Sequence, residues 1–295
     1  MRKLLALLSL FALNLAGEAR GPDLEIKETQ MKQGEFFQAL VHNVKSKPRI
    51  WFNTKEYQMF QLDEARWLPV DPEKRKLEEK YKTYRALIPV ENLTKVGKYS
   101  VLARLGDWQE RIPVEIIDNG KGVSRITLSD DKAGLTATAK ELKTVGSGLR
   151  TLSYTKLWHG KFDYPSKAAR SSPFGTKRSY NGGPISSYHK GLDFAGAKGS
   201  PVYAPADAKV AAMGKEVEGF VVHGNTVILD HGHALTSIYM HLSKIDVVDG
   251  QQVHKGDKIG EVGHTGISTG PHLHWGTYLY GTSVEPEKFV REEIL

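Results

Sequence analysis

The rhythm of hydrophobic and polar positions changes several times along the chain. Residues 4–17 are almost continuously apolar and follow the short cationic stretch Met1-Arg-Lys3. At 14 residues this run is shorter than the roughly 20 that a membrane helix needs. Gly17-Glu-Ala19 then offers the small residues that a signal peptidase reads. Residues 1–19 are therefore expected to be a cleaved secretory signal. Residues 20–118 carry short alternating or β-rich runs at 36–44, 49–52, 82–90, 98–104 and 111–117. That pattern predicts a β-sandwich-like N-terminal domain, with the polar stretch 71–81 as a surface insertion. Residues 119–160 read as a linker with a helix. Ser129-Asp-Asp131 would cap a helix running through Lys143, and Gly146-Ser-Gly148 would end it. Residues 161–295 return to strand-like runs at 201–203, 209–213, 225–229, 235–240 and 273–278. They predict a mostly antiparallel β domain, so the fold class is mainly β.

Composition refines this outline. The chain has 295 residues, 40% hydrophobic and 25% charged, with no cysteine. Without cysteine there is no disulfide framework, no thiol nucleophile, no cysteine metal ligand and no lipid-anchored cysteine. After the leader, no stretch is apolar enough to cross a membrane. A leader of this kind predicts export, with the periplasm favoured and secretion as the other destination. The formal charge of +7 points to an anionic partner. It is uneven: +2 over 20–118, +4 over 119–160 and zero over 161–295. The last region itself divides into +6 over 161–215 and −6 over 216–295. Basic charge therefore leads into the first candidate metal motif, where it suits an anionic polymer.

The chemistry lies in the histidines. Nine of the eleven fall between 189 and 274. Three groupings stand out: Tyr188-His-Lys-Gly-Leu-Asp193, Tyr239-Met-His241 and Gly270-Pro-His-Leu-His-Trp275. On a strand, residues two or four apart share a face. His272 and His274 would point one way, as would His189 and Asp193. Two imidazoles and a carboxylate form a hydrolytic zinc ligand set with a fourth position open for water. The metal would acidify that water and polarise a substrate carbonyl. Surplus histidines could serve as general acid or base, or steady an oxyanion. His231 and His233 sit at a turn. His223, His254 and His264 fall in glycine-rich loops and read as solvated, and Trp275 reads as core.

Residues 159–291 resemble the lysostaphin/LytM family of zinc metallopeptidases. The matching blocks are His189-Lys-Gly-Leu-Asp193, Gly199-Ser-Pro-Val-Tyr-Ala-Pro205, Gly224-Asn-Thr-Val-Ile-Leu-Asp-His-Gly232, Thr236-Ser-Ile-Tyr-Met-His-Leu-Ser243, Val253-His-Lys-Gly-Asp-Lys-Ile-Gly260 and Gly263-His-Thr-Gly-Ile-Ser-Thr-Gly-Pro-His-Leu-His274, in family order. The resemblance implies one Zn2+ per catalytic domain (161–295), held by His189, Asp193 and His274. It implies that His241 and His272 flank the reacting carbonyl as base and as proton donor or oxyanion stabiliser. Tyr180 and Arg178 are candidates for substrate contact. The family cleaves peptide bonds of bacterial peptidoglycan, and a D,D cross-link is the expected target. Its members often carry elements that occlude the groove, a role the linker or the N-terminal domain could fill. The competing reading is a catalytically silent relative that activates another wall hydrolase, which would have lost ligands. A wall-binding module would make the His and Asp blocks incidental. No nucleic-acid reading motif is present. The sequence sets no oligomeric state.

Overall fold

The computed structural model describes residues 21–62, 81–127 and 134–294. The leader, most of the 71–81 insertion and the Ser129–Asp131 cap lie outside the described residues. Among the described residues, no helix is long and apolar enough to cross a membrane.

The N-terminal module is two sheets face to face. One has the order β1 (Asp23–Ile26), β3 (Phe36–Val44), β7 (Lys82–Pro89), β6 (Phe60–Gln61). The other has the order β2 (Gln30–Lys32), β9 (Trp108–Ile117), β8 (Gly97–Leu105), β4 (Arg49–Phe52), β5 (Lys55–Tyr57). Alternation along the strands turns Ile50, Phe52, Val101, Ala103, Val114 and Ile116 inward against Phe37, Val41 and Ile88. The strands between 23 and 117 thus share one buried core, and each fully buried aliphatic or aromatic side chain contributes about 1.5–3 kcal/mol.

The C-terminal region is built on a sheet in the order β11 (Ala169–Ser172), β14 (Leu192–Ala195), β22 (Leu273–Leu279), β18 (Leu235–Leu242), β17 (Asn225–Gly232), β16 (Ala208–Gly214), β20 (Gln252–Val253), with β23 (Thr282–Val284) also on β22. Leu192, Phe194, Val227, Leu229, Leu235, Tyr239, Leu273 and Trp275 face one core. A small sheet of β15 (Pro201–Tyr203), β21 (Lys258–Glu261) and β19 (Lys244–Ile245) contributes Val202 and Ile259 to it. Trp275 is fully buried there, as the sequence predicts. The short helix α2 (Pro286–Arg291) adds Phe289.

Two features of the linker differ from expectation. A strand the sequence did not reveal, β10 (Val123–Ile126), runs parallel to β12 (Lys177–Tyr180), which pairs antiparallel with β13 (Ile185–Tyr188). The helix α1 spans Ala139–Leu149, not a stretch ending at Lys143. Thr138 and Glu141 close a capping box at its start, and each satisfies an otherwise orphaned backbone N–H. Gly146 and Gly148 lie inside it and do not end it, because Val145, Gly148 and Leu149 are buried against the sheet. Their neighbours are Ile228, Ile238 and Tyr278, on the sheet face opposite the main core. Tertiary packing overrides the low helix propensity of glycine here.

The two modules pack closely. Phe36 stacks on Phe289 with ring centroids 4.9 Å apart. Arg85 of β7 is fully buried and its Nη2 lies 2.9 Å from Nδ1 of His233. Burial, together with this guanidinium, lowers His233 to about 3, so its ring stays neutral. Nδ1 can then accept from Arg85 while Nε2–H donates to the Tyr154 carbonyl at 3.0 Å.

Candidate metal centre

Asp193 and His274 are directly opposite each other on the antiparallel strands β14 and β22. Their neighbours Leu192, Phe194, Leu273 and Trp275 point into the core, so alternation turns Asp193 and His274 out onto the other face. His272 lies two residues earlier on that face and pairs with Gly263 in an isolated bridge. His189 precedes β14. Its backbone continues the β12–β13 pairing, donating to Thr176 O at 2.8 Å and accepting from Gly175 N at 2.9 Å. The turn between His189 and Asp193 passes so close to β22 that a Cβ on Gly191 would lie 2.5 Å from Trp275 O and 2.6 Å from His274 Cε1. Glycine in the middle of His-Lys-Gly-Leu-Asp is therefore a packing requirement.

Three ligand atoms converge. His189 Nε2 is 3.0 Å from Asp193 Oδ1 and 3.0 Å from His274 Nδ1, and the last two atoms are 2.9 Å apart. His189 Nδ1–H donates to the Pro173 carbonyl at 2.9 Å, which leaves the Nε2 lone pair facing the other two atoms. All three residues are buried. Burial alone would raise the Asp193 pKa, but the imidazoles of His189 and His274 against it hold the carboxyl far below its usual range. Burial lowers His274 to about 4 despite Asp193 beside it. At neutral pH the site is therefore a carboxylate with a neutral His274 imidazole, the protonation state a metal requires of its ligands. Acceptors this close, out of water, need a cation between them. A His2Asp set fits zinc, leaving a fourth position open. The three residues form a possible metal site.

Two more imidazoles stand beside it. The rings of His241 and His272 are 4.8 Å apart, and His241 is 6.4 Å from His274. His272 Nε2 lies 4.0 Å from Asp193 Oδ1. His241 Nδ1–H donates to Thr265 O at 2.9 Å, and His272 Nδ1–H to Gly270 O at 2.8 Å. Each ring is thereby fixed in the tautomer that leaves Nε2 as an acceptor. Burial, and then the neighbouring rings of His272 and His274, push His241 well below its ordinary value, so it too is neutral. His241 arrives by a bulge. The β17–β18 register slips between Asn225 and Val227, and His241 takes φ +63°. Such bulges re-aim side chains next to functional sites.

The structure thus gathers all five residues singled out as metal or flanking groups. Arg178 is close as well, with Nη2 3.8 Å from Asp193 Oδ2. Tyr180 is half-buried, two residues further along β12 and so on the same face. His254 is exposed, as expected. His223 is not a solvated loop residue: its Nδ1 is 2.6 Å from Glu141 Oε1 of α1. Four supporting groups were missed: the carbonyls of Pro173, Thr265 and Gly270, and Ser268, whose Oγ is 3.0 Å from both His264 Nδ1 and His272 Nδ1. Backbone acceptors carry no residue signature. Ser268 had only its place in Gly-Ile-Ser-Thr-Gly to mark it.

The profile of peptidase family M23 matches residues 187–286, the segment that holds His189, Asp193, His241, His272 and His274. Residues 187–286 are an M23 peptidase domain. Over 129 residues the chain is 41% identical to an uncharacterized metalloprotease of Haemophilus influenzae, covering 43% of this chain and 26% of that protein. It is 37% identical over 128 residues to the peptidoglycan DD-endopeptidase ShyA of Vibrio cholerae, covering 43% and 29%. Over 119 residues it is 39% identical to the DD-carboxypeptidase/endopeptidase Mpg of Neisseria meningitidis, covering 39% and 26%. The match thus spans between a quarter and a third of the length of these curated relatives. A Pseudomonas aeruginosa crystal structure assigned to peptidase M23 superposes with a TM-score of 0.58 at 27% identity. It covers 86% of this chain and 92% of that one, so the likeness extends beyond the M23 domain into the N-terminal module.

Proposed function

We propose that the chain is a zinc-dependent endopeptidase that hydrolyses peptide bonds of bacterial peptidoglycan, with the D,D cross-link as target. The observation that carries this reading is the convergence of a His2Asp donor set with two further imidazoles on one sheet face of an M23 domain. His189 Nε2, Asp193 Oδ1 and His274 Nδ1 would hold the metal. Zinc bound there would polarise the scissile carbonyl and acidify a water. His241 and His272 present Nε2 lone pairs to the same space. They divide the remaining work: one takes a proton from the attacking water at its Nε2 lone pair, and the other, once it carries a proton at Nε2, steadies the developing charge and passes that proton to the leaving amine. Arg178 offers a cation to a stem-peptide carboxylate, and Tyr180 a flat surface beside it. The relatives named as peptidoglycan DD-endopeptidases support the choice of substrate. A silent regulator would have lost ligands, and the complete set argues for the enzyme.

The same proposal places the N-terminal sandwich (20–118), the linker (119–160) and the catalytic domain (161–295) in an exported protein with a leader at 1–19, acting in the periplasm. It also includes a partial occlusion of the groove. The linker strand β10 pairs with β12, whose Arg178 faces Asp193, and a strap on that flank would narrow the approach. Proline at position 124 or 125 should loosen β10 and raise the rate, and an unchanged rate removes the occlusion.

The decisive experiment incubates the mature protein with purified sacculi, with and without a chelator, beside His241→Ala and Asp193→Ala. New amine ends should appear only with metal-loaded wild type. Wild-type protein that holds stoichiometric zinc and releases no new ends overturns the enzyme.

A further inference from the structure

We infer that Glu141, on the linker helix and outside the matched M23 segment, is a positioning residue for His241. The inference rests on the reading of His241 as a group of the reaction. Glu141 is fully buried, yet it does not belong to the metal site. Its carboxylate collects the donors of the segment opposite: Val222 N–H at 3.1 Å, His223 N–H at 2.6 Å and His223 Nδ1–H at 2.6 Å. A fourth donor, the Thr138 N–H at 3.3 Å, closes the capping box. Thr138 Oγ adds a bond to Gly219 O at 2.9 Å, so the first turn of α1 grips the 219–223 segment at both ends.

That segment in turn holds His241 by two routes. The His223 carbonyl accepts the His241 N–H at 3.0 Å, at the residue whose φ is +63°. The second route runs through the loop that carries the Thr265 carbonyl, the acceptor for His241 Nδ1–H. Val222 O accepts Ile267 N–H at 2.9 Å, and Glu216 Oε1 accepts Gly266 N–H at 2.9 Å. Glu141 therefore anchors the backbone that sets both the main-chain conformation of His241 and its ring tautomer. None of these bonds touches His189, Asp193 or His274. Loss of the carboxylate would strip three half-buried donors of one segment of their shared acceptor, and the segment must shift to find new partners.

The test uses the full-length protein with zinc, on a disaccharide-tetrapeptide dimer joined by a D-alanyl–diaminopimelate cross-link. Glu141→Ala should lower kcat by about 10- to 100-fold, as misplacement of a reacting group by about an ångström does. KM should stay within about twofold, since no substrate contact is lost, and zinc content should not change. Glu141→Gln keeps an acceptor of the same size and should fall between. Val145→Ala loosens the buried face of the same helix without touching these bonds. It should lower Tm and leave kcat unchanged. A second readout needs no activity. The 15N signals of the His241 ring should report one fixed Nδ1–H tautomer in wild type and in Val145→Ala, and a mixture in Glu141→Ala and Glu141→Gln. A folded Glu141→Gln with wild-type kcat and wild-type His241 signals overturns the inference. A wild type that cuts nothing, but whose His241 tautomer is lost on Glu141→Gln, overturns the proposed reaction and leaves the positioning role standing.

Discussion

Replacing Gly191 with alanine tests whether the metal centre depends on the close approach of two strands. The added methyl would lie 2.5 Å from the Trp275 carbonyl oxygen and 2.6 Å from Cε1 and Nε2 of His274. The carbonyl belongs to β22, a strand paired on both sides by β14 and β18 and unable to retreat. The imidazole can retreat only by opening its 2.9 Å contact with Asp193 Oδ1 and its 3.0 Å contact with His189 Nε2. Overpacking of this kind costs about 1–3 kcal/mol. For a protein of this size that lowers Tm by roughly 2–10 °C. Thermal unfolding in chelator isolates this packing cost. A competitive zinc titration then reads the ligand displacement, which should weaken binding by at least about tenfold, the lower end of what disturbing the groups around a metal ligand costs. A Gly191→Ala protein with wild-type Tm in chelator and wild-type zinc affinity refutes the reasoning, since the methyl would then have found room without moving His274.

Other outcomes follow from the same geometry. Zinc at about a hundredfold over its Kd should stabilise the protein by about 2.7 kcal/mol, and Asp193→Asn should abolish the shift in a denaturant titration. Burial lowers His231 from 6.5 to about 4, so the unfolded chain takes up this proton first as pH falls. Its contribution is complete above pH 6.5 and is lost toward pH 4, on the order of 3 kcal/mol. Unfolding followed in chelator across this range should flatten in His231→Gln, and an equal slope in the variant rejects the assignment. The two helix glycines should respond oppositely to alanine. At 146 a Cβ meets the movable Arg150 guanidinium at 2.9 Å, so the propensity gain of about 0.5–1 kcal/mol should appear as a higher Tm. At 148 it meets Ile228 Cδ1 at 2.9 Å and Ala212 Cβ at 3.0 Å beneath the helix, and Tm should drop.

The metal site was legible because its information is local and periodic. His272 and His274 share a face by alternation, the cross-strand pairing of Asp193 with His274 adds the carboxylate, and the short His189–Asp193 spacing brings His189 back through a turn rather than along an extended strand. The sandwich runs were legible for the same reason. The helix was misread because its signals were weighed as if it stood in water. Ser-Asp-Asp at 129–131 looked like a cap, although Thr138-Ala-Lys-Glu141 carries the full capping box. Gly146 and Gly148 looked like breakers, although one of them is what lets the helix approach Ile228. His223 was read as solvated because its partner lies 82 residues away in the chain. Contacts of that separation leave no periodic trace.

His241 shows how these levels join. Strict alternation along β18 would send it the way of Tyr239, which is fully buried in the main core. Met240, instead, packs on the opposite face against Ile238 and Tyr278. For His241 to reach His272 and His274 on that face, two consecutive side chains must point the same way, and the bulge with φ +63° achieves this. A left-handed non-glycine residue costs on the order of 1–2 kcal/mol, so an isolated strand would relax and turn the ring away. The conformation persists because His223 O and Thr265 O hold its N–H and Nδ1–H, and because α1 holds the segment to which both loops are tied. Strain at the flanking imidazole and burial of a carboxylate on the linker helix are then two ends of one device. That explains why a helix outside the M23 match carries a fully buried glutamate.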